Sequence, residues 1–502
     1  MESSEPSFQA RLQLTRDVIS STGDMLVNPL GIDFRPFDTE TQFEAWNRLV
    51  GHVKNGRLCA ETALYVHIPF CAKVCSYCLL STARTPGRSL IDRYVQAVAM
   101  ELRKYKDTLA ALRVTSVHIG GGTPTLLSTK QLRVVFDALS EVVDLSTCPV
   151  GIEASPGTFT ESKGQVLVEY GVDRISFGVE TFTPVVLEAV RRTGQRTEVV
   201  RSAVDTARSV GILEVNIDLL AGLAKETVET FADSVSTALS LGIDSMSVNR
   251  YIAENAPLSS VGHVPDAEER INCDKMLMIA DEIIRRDRPA TTPQEALEEP
   301  GYGTQYVWDT REAAREYFQQ DMIGPGSVLA VGHGAMGHLH GGGFYTTAGG
   351  LTEYVEALEN SQLPAVLLSP VSMAFEMAHY FADRACRGTF KEADFLEMFH
   401  RPLGSVFGSE LRFLIAQGLV SEHQGVWRKE ANLDFQVHHL LNFLLHSHEK
   451  IQALSRLDSG RHPLRRIRDN LQFLGGYDQS DTLAAVFNES ASTGPRALSM
   501  TA

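Results

Sequence analysis

The chain has 502 residues, 43% of them hydrophobic, enough to bury one large core and a smaller second one. Its formal net charge of −16 argues against a general nucleic-acid or anionic-membrane role, since both rely on basic patches. No apolar run reaches the roughly 18 residues of a membrane span, and the start Met1-Glu2-Ser3-Ser4-Glu5-Pro6 lacks a basic-then-apolar leader, so a cytoplasmic protein is expected.

Residues 1–60 read as an N-terminal extension with a helix near 41–52. From Ala63 the pattern alternates. Short apolar or β-branched runs at 63–68, 114–119, 149–153, 174–178, 213–219 and 244–249 predict buried parallel strands of an α/β domain. Helical periodicity fills the gaps: Ile91, Tyr94, Val95, Val98, Leu102 and Tyr105 fall on one face. After the sixth strand the spacing predicts a helix over 266–286. The stretch Arg288 to Gly303, with three prolines, reads as a loop, either a lid or a solvated connector. Residues 326–345 are glycine-rich and carry His333, His338 and His340. Three histidines invite a metal, haem or substrate-contact role, but spacings of five and two do not form a zinc pattern. Helices near 371–387, 392–400 and 408–417, followed by a short hairpin, predict a winged-helix-like α+β unit over 371–450. DNA binding by that unit is disfavoured by seven Lys/Arg against eight Asp/Glu over 371–430. Residues 451–502 are expected to be a partly disordered tail.

The chemistry concentrates at Cys71, Cys75 and Cys78, directly after the first strand. Three thiols in one proline-opened loop can converge on one object, and soft ligands suit an iron–sulfur cluster or zinc. With His67 they could form a closed Cys3His zinc site. Zinc modules are usually small and self-contained, whereas this motif is the first strand-to-helix loop of a large domain. A [4Fe–4S] cluster with three ligands leaves one iron open to chelate a small molecule. The remaining cysteines, Cys59, Cys148, Cys273 and Cys386, are scattered and read as reduced, mostly buried thiols, with Cys59 or Cys386 as candidates to face a substrate.

The run Tyr65-Val66-His67-Ile68-Pro69-Phe70-Cys71 through Cys75 and Tyr77-Cys78 resembles the cluster motif of radical S-adenosylmethionine (SAM) enzymes, in the branch of oxygen-independent coproporphyrinogen III oxidase. Gly120-Gly121-Gly122-Thr123-Pro124-Thr125, Glu153-Ala154-Ser155-Pro156, Arg174 to Glu180 and Asn216 to Leu223 continue the resemblance in order. It implies a partial (β/α)6 barrel over 61–260, a capping segment with the glycine-rich loop over 261–370, and a winged-helix-like domain at the barrel mouth. It also implies a [4Fe–4S] cluster on Cys71, Cys75 and Cys78, and two SAM molecules. Tyr65, Gly121, Glu153 and Met336 would contact the first; Tyr77, Gly122, Thr123, Glu180, Arg192, Asp218 and Ile252 would line the second. Tyr65, Tyr77 and Glu180 are the candidate catalytic groups. The glycines are expected to let backbone approach the methionyl group.

Three departures from the oxidase pattern stand out. The chain lacks an upstream Arg-Tyr-Thr-Ser-Tyr-Pro run, has Glu180 where the family has glutamine, and carries a Gly337 version of the glycine-rich segment that is similar to anaerobilin synthases. A bland alternative for Glu180, Arg192 and Asp218 is an ordinary ion-pair network at the barrel rim. By exclusion the resemblance favours the methylase branch: radical C1 transfer, as methylation or cyclopropanation, onto an sp2 carbon of an aromatic natural-product intermediate. The alternatives are tetrapyrrole chemistry, by haem ring opening or coproporphyrinogen decarboxylation, and a non-catalytic haem chaperone. Expected partners are an aromatic or tetrapyrrole small molecule, a flavodoxin- or ferredoxin-type reductant, and a separate methyltransferase acting on the product, with no nucleic acid and no membrane.

Overall fold

The computed structural model describes residues 35–37, 39–55, 60–78, 83–251, 267–288, 296–299, 303–307, 326–340, 343–347, 349–369, 376–377, 380–381, 389–416 and 420–429. Cys59, Ile252, Cys386, most of 371–387 and both terminal segments lie outside them.

Six strands alternate with six helices. β1 (Glu61–Ile68), β2 (Arg113–Gly121), β3 (Val150–Ala154), β4 (Arg174–Glu180), β5 (Glu214–Ala221) and β6 (Ser245–Arg250) lie side by side in that order, all parallel. Between and after them run α1 (Arg88–Lys104), α2 (Thr129–Ser140), α3 (Glu161–Glu169), α4 (Thr197–Val210), α5 (Val228–Leu239) and α6 (Ala267–Asp287). This is the α/β fold that the alternation of short apolar runs and 3.6-residue periodicity predicts. The helix boundaries have local causes. Ser128 and Gln131 cap α2 reciprocally, Thr227 and Thr230 do the same for α5, and α4 stops at Gly211 in a left-handed conformation. The apolar face of α1, Ile91, Tyr94, Val95, Val98 and Leu102, is buried. Phe136, Phe177 and Phe231 are fully enclosed in the same core, each contributing about 1.5–3 kcal/mol through burial.

The sheet extends on both sides. β7 (Ala296–Glu299) and β8 (Gly303–Val307) form a hairpin whose second strand pairs antiparallel with β6. The stretch Arg288 to Gly303 is therefore not simply a loop. Its prolines, Pro289, Pro293 and Pro300, flank β7 without entering it, where they cannot break its ladder. On the other edge β9 (Ser327–Val331) runs parallel to β1, followed by β10 (Met336–Leu339), β11 (Gly343–Thr347) and β12 (Val366–Ser369) in antiparallel succession. Arg35–Phe37 closes that edge on β12.

A smaller compact unit contains Phe381, Thr389 to Ala393 and the described residues from Arg401 onward. Its helix Leu403–Ala416 and three-stranded antiparallel sheet (Thr389–Lys391, Val426–Lys429 and Val420–His423) make it a small α+β unit. Phe381 stacks on Phe407 and meets Trp427 edge-on in its interior.

Near β1 a buried network ties α1 to the turn after β9. Glu101 accepts hydrogen bonds from Gly332 N–H (2.9 Å) and the Tyr354 hydroxyl (2.6 Å). Tyr94 donates to the His67 carbonyl (2.7 Å) and accepts from His333 N–H (3.0 Å). Burial pushes the Glu101 carboxyl up to about 7, against those two hydrogen bonds. The folded state thus holds a proton that the unfolded chain, at an ordinary 4.5, gives up. This contribution to stability is complete below pH 4.5 and is lost as pH rises through about 7, by on the order of 3 kcal/mol. Glu101→Gln should abolish that decline, as read by denaturant unfolding at pH 5 and pH 8. Parallel pH profiles for the two proteins would contradict the assignment.

Candidate functional site

The C-terminal end of β1 places the cysteine loop. After Ile68 the chain passes Pro69 and Phe70 and turns through Cys71 to Cys78, with all three cysteines partly exposed. The loop is fastened at several points. Cys71 O accepts from Thr85 N–H (2.9 Å) and Thr85 Oγ1 (2.8 Å), Cys78 N–H bonds Cys75 O (3.3 Å), and Ser76 N–H bonds Val190 O (3.3 Å). Thr123 Oγ1 donates to Cys71 Sγ at 3.6 Å, bringing the glycine-rich loop after β2 against the first cysteine. Burial pushes the Cys71 thiol up, partly offset by that hydroxyl. Three soft donors on one pinned loop fit an iron–sulfur cluster, and the long sheet around them is unlike a self-contained zinc module.

The glycines of Gly120-Gly121-Gly122 answer to protein packing first. A Cβ at Gly120 would lie 2.8 Å from the Glu153 carboxyl; at Gly121, whose φ is +109°, 2.5 Å from the His67 ring; and at Gly122, 2.7 Å from the Pro69 carbonyl carbon. Gly122 N–H bonds Ile68 O and Thr123 N–H bonds Phe70 O, both at 2.8 Å, so the two loops are laced together by backbone. The structure thus supplies a reason for these glycines that does not involve a ligand.

Beside them Glu153, at the end of β3, receives Gly121 N–H (2.9 Å) and His118 Nε2 (3.1 Å). Burial works against its ionisation, but His118 and the Gly121 N–H outweigh it and hold the carboxyl below its usual range. Tyr65 stacks on His118 and bonds His67 Nδ1 (2.9 Å). His118 was not singled out from the sequence. Its signal is positional, two residues before Gly120 on β2 and in register with Tyr65 on β1.

A second group gathers over Cys75. β4 ends in a register shift between Gly178 and Glu180, and Glu180 takes a left-handed φ of 69°. Its carboxylate accepts from Arg192 Nη1 at 3.4 Å. The same nitrogen donates to Tyr77 Oη at 2.5 Å and lies 3.9 Å from Cys75 Sγ, while Nη2 donates to Gly178 O. Gln195 Oε1 receives Arg192 Nε. Burial pushes Glu180 up to about 7, with Arg192 pulling the other way. Desolvation also raises the Tyr77 phenol well above its usual range.

Asp218 is separate from that ion pair. It accepts from Ser176 Oγ (2.6 Å) and Asn216 Nδ2 (2.7 Å), deeper along the same strands. Below it Asn216 contacts Ser247 and Ser245, and Ser245 joins the buried pair Arg174–Glu214 (3.0 Å). A single network of Glu180, Arg192 and Asp218 does not form: Arg192 is occupied by Tyr77 and Glu180. Asn216 and Asp218 on β5, and Ser245 and Ser247 on β6, are spaced by two and so share one face, and Ser176 on β4 is in register with Asn216.

Met336 opens β10, two strands from β1, and is 37% exposed. Ile252 lies outside the described residues. His338 and His340 are buried against Glu376 (3.5 and 2.8 Å), whose carboxyl they hold down to about 2 against its burial. His333 is partly buried, with its backbone N–H on Tyr94. Cys273 is a buried thiol on Ala221 O (3.4 Å) and Cys148 is partly buried.

Replacing Cys71, Cys75 and Cys78 together by Ala should remove the visible absorption of an anaerobically reconstituted protein, while Cys148→Ala and Cys273→Ala leave it. Stoichiometric zinc without iron would contradict the cluster. Gly121→Ala should destabilise the fold by about 1–3 kcal/mol in thermal melts, because the residue is left-handed and its Cβ meets His67. An unchanged melting temperature would show that His67 moves aside freely.

Residues 65–238 match the model of the Radical SAM superfamily. The oxygen-independent coproporphyrinogen III oxidases of Bradyrhizobium diazoefficiens and Paracoccus denitrificans are each 30% identical over 295 residues, 56% and 58% of this chain. The chain spans about three fifths of those curated relatives, 63% and 57% of their lengths. The heme chaperone HemW of Bacillus subtilis is 27% identical over 367 residues, 71% of this chain and 92% of that protein. In fold, the chain is similar to the coproporphyrinogen III oxidase HemN of Escherichia coli, with a TM-score of 0.67 at 20% identity, covering 85% of this chain and 98% of that one. Such a domain implies a [4Fe–4S] cluster and SAM as cofactors. Residues 65–238 carry a radical SAM domain, and the chain is similar to oxygen-independent coproporphyrinogen III oxidases and to HemW.

Proposed function

We propose that this chain is a radical SAM enzyme acting on a tetrapyrrole. The observation that carries the enzyme reading is the lacing of the cysteine loop to Gly120–Thr123 and the Glu153 carboxylate, which sets a cluster site and an ammonium- or hydroxyl-accepting group side by side. The names of the relatives support a tetrapyrrole in preference to the natural-product intermediate that the departures from the oxidase pattern favoured. When bound, the reduced cluster supplies one-electron cleavage of SAM. In this reading Cys71, Cys75 and Cys78 hold the cluster, and Glu153, kept ionised by His118 and Gly121 N–H, accepts from the methionyl ammonium or a ribose hydroxyl. Tyr65 and Met336 complete that first site. Ile252 joins the second.

One observation favours the C1-transfer reading as a second possibility. Arg192, Glu180 and Tyr77 sit together above Cys75, with Asp218 beneath, a charged and hydroxyl-bearing set suited to the amino-acid end of another SAM. Asp218 holds its position through neutral partners, so it is available to a cationic or hydroxyl ligand.

The two readings differ in their products. Decarboxylation of a coproporphyrinogen releases carbon dioxide and 5′-deoxyadenosine without S-adenosylhomocysteine. C1 transfer yields S-adenosylhomocysteine and 5′-deoxyadenosine, about one of each per product. Anaerobic assays with coproporphyrinogen III and haem, quantifying both nucleosides, are expected to show substrate-dependent 5′-deoxyadenosine. Haem binding without it would mark a chaperone. Equimolar S-adenosylhomocysteine, lost in Asp218→Ala while 5′-deoxyadenosine persists, would replace the decarboxylase by a C1-transfer enzyme.

A further inference from the structure

We infer that the cationic rim beside the cysteine loop, formed by Lys73, Arg191, Arg196 and Lys225, is the docking surface for an acidic one-electron carrier protein. The inference rests on the radical SAM reading and names the partner of that same site. Lys73 lies between Cys71 and Cys75, is exposed, and donates from Nζ to Thr193 Oγ1 (2.9 Å). That bond, with Ser76 N–H on Val190 O and Arg192 on Tyr77, seats residues 190–196 along the outside of the loop. Arg191 and Arg196 flank this seat, both exposed. Lys225 is also exposed, and Leu223 two residues before it packs with Val186 and Val190. Among the described residues none of the four cations forms an ion pair, whereas Arg174 and Arg192, on β4 and next to the loop, are both paired and largely enclosed.

Two further features separate this rim from ordinary surface charge. The chain carries 62 acidic against 46 basic residues, so unpaired cations gathered beside the cysteine loop run against its overall balance, with Glu188, Glu198 and Glu229 exposed carboxylates on the same segments. Arg191 and Lys225 both hold left-handed backbone, with φ of 62° and 67°, a conformation that costs about 1 kcal/mol or more in a residue with a side chain. Val185, 48% exposed, adds an apolar contact at the edge. A small charged patch with little apolar area is the character of transient redox interfaces, which lie at the low end of interface size. One electron passes from the reduced carrier to the oxidised cluster, and the carrier departs oxidised by one electron. The rim faces outward, which fits a protein partner better than a small substrate entering the lumen.

The test uses the full reconstituted chain and follows 5′-deoxyadenosine from SAM without added substrate, with either reduced flavodoxin or dithionite as electron donor. Arg191→Glu with Arg196→Glu, and separately Lys225→Glu, should lower kcat/KM for flavodoxin about tenfold at low ionic strength. The dithionite rate should stay within about twofold of wild type, and added salt should narrow the difference. Equal flavodoxin rates in variants and wild type would overturn the inference. So would an equal loss with both donors, which would place these residues in cofactor binding or folding, or a selective loss of tetrapyrrole binding. A wild-type protein that cleaves SAM with neither donor would remove the enzymatic function and this surface with it.

Discussion

A close approach of backbone to backbone lies between the end of β1 and the loop after β2, and the site depends on it. Gly122 and Thr123 donate to Ile68 and Phe70 across 2.8 Å, with no room for a Cβ at Gly121 or Gly122. Parallel pairing of β1 and β2 brings the two chain segments to the same level of the sheet, and the glycines let them run on together past the sheet's edge. From this contact follow the position of Cys71, its hydrogen bond from Thr123, and the seat of Glu153 on Gly121 N–H. The interaction is between main-chain groups, so its geometry is less sensitive to side-chain substitution elsewhere than a contact between two long side chains.

The lumen adds a second constraint. Arg174, Glu214, Ser245, Asn216, Ser176 and Asp218 form a continuous hydrogen-bonded column along β4 to β6. Removing one partner from a buried ion pair costs about 3–5 kcal/mol, while replacing both by well-packed apolar groups is often neutral. The column is therefore a weak source of net stability and a strong source of specificity, since each member has a named partner that a shifted register would lose.

Much of this was legible in the sequence. All six parallel strands and the buried face of α1 follow from periodicity, because a strand covered on both faces needs a continuous apolar run. The cysteine loop and glycine-rich loop were marked by spacing and by position after strands. What the sequence hid has physical causes. β9 to β11 are short and lie among glycines, so they were absorbed into a glycine-rich loop. β7 was masked by the prolines at its ends. His118 and Ser176 looked unremarkable because their importance lies in a partner on a neighbouring strand. The grouping of Glu180, Arg192 and Asp218 into one network failed because a bulge at the end of β4 gives Glu180 to Arg192, while Asp218, two residues past Asn216, finds neutral donors first.

The Arg174–Glu214 pair has a consequence for traffic through the molecule. Both side chains are about 5% exposed, with Ser245 fully enclosed beside them, so the N-terminal end of the lumen is stoppered by charged groups that already have each other. Among the described residues, this leaves the end bearing the cysteine loop as the way in along these strands. Whatever settles deepest must be admitted before the molecules stacked above it and can leave only after they have gone. Turnover then carries a built-in queue, in which the rate of clearing the outermost occupant limits the exchange of everything beneath.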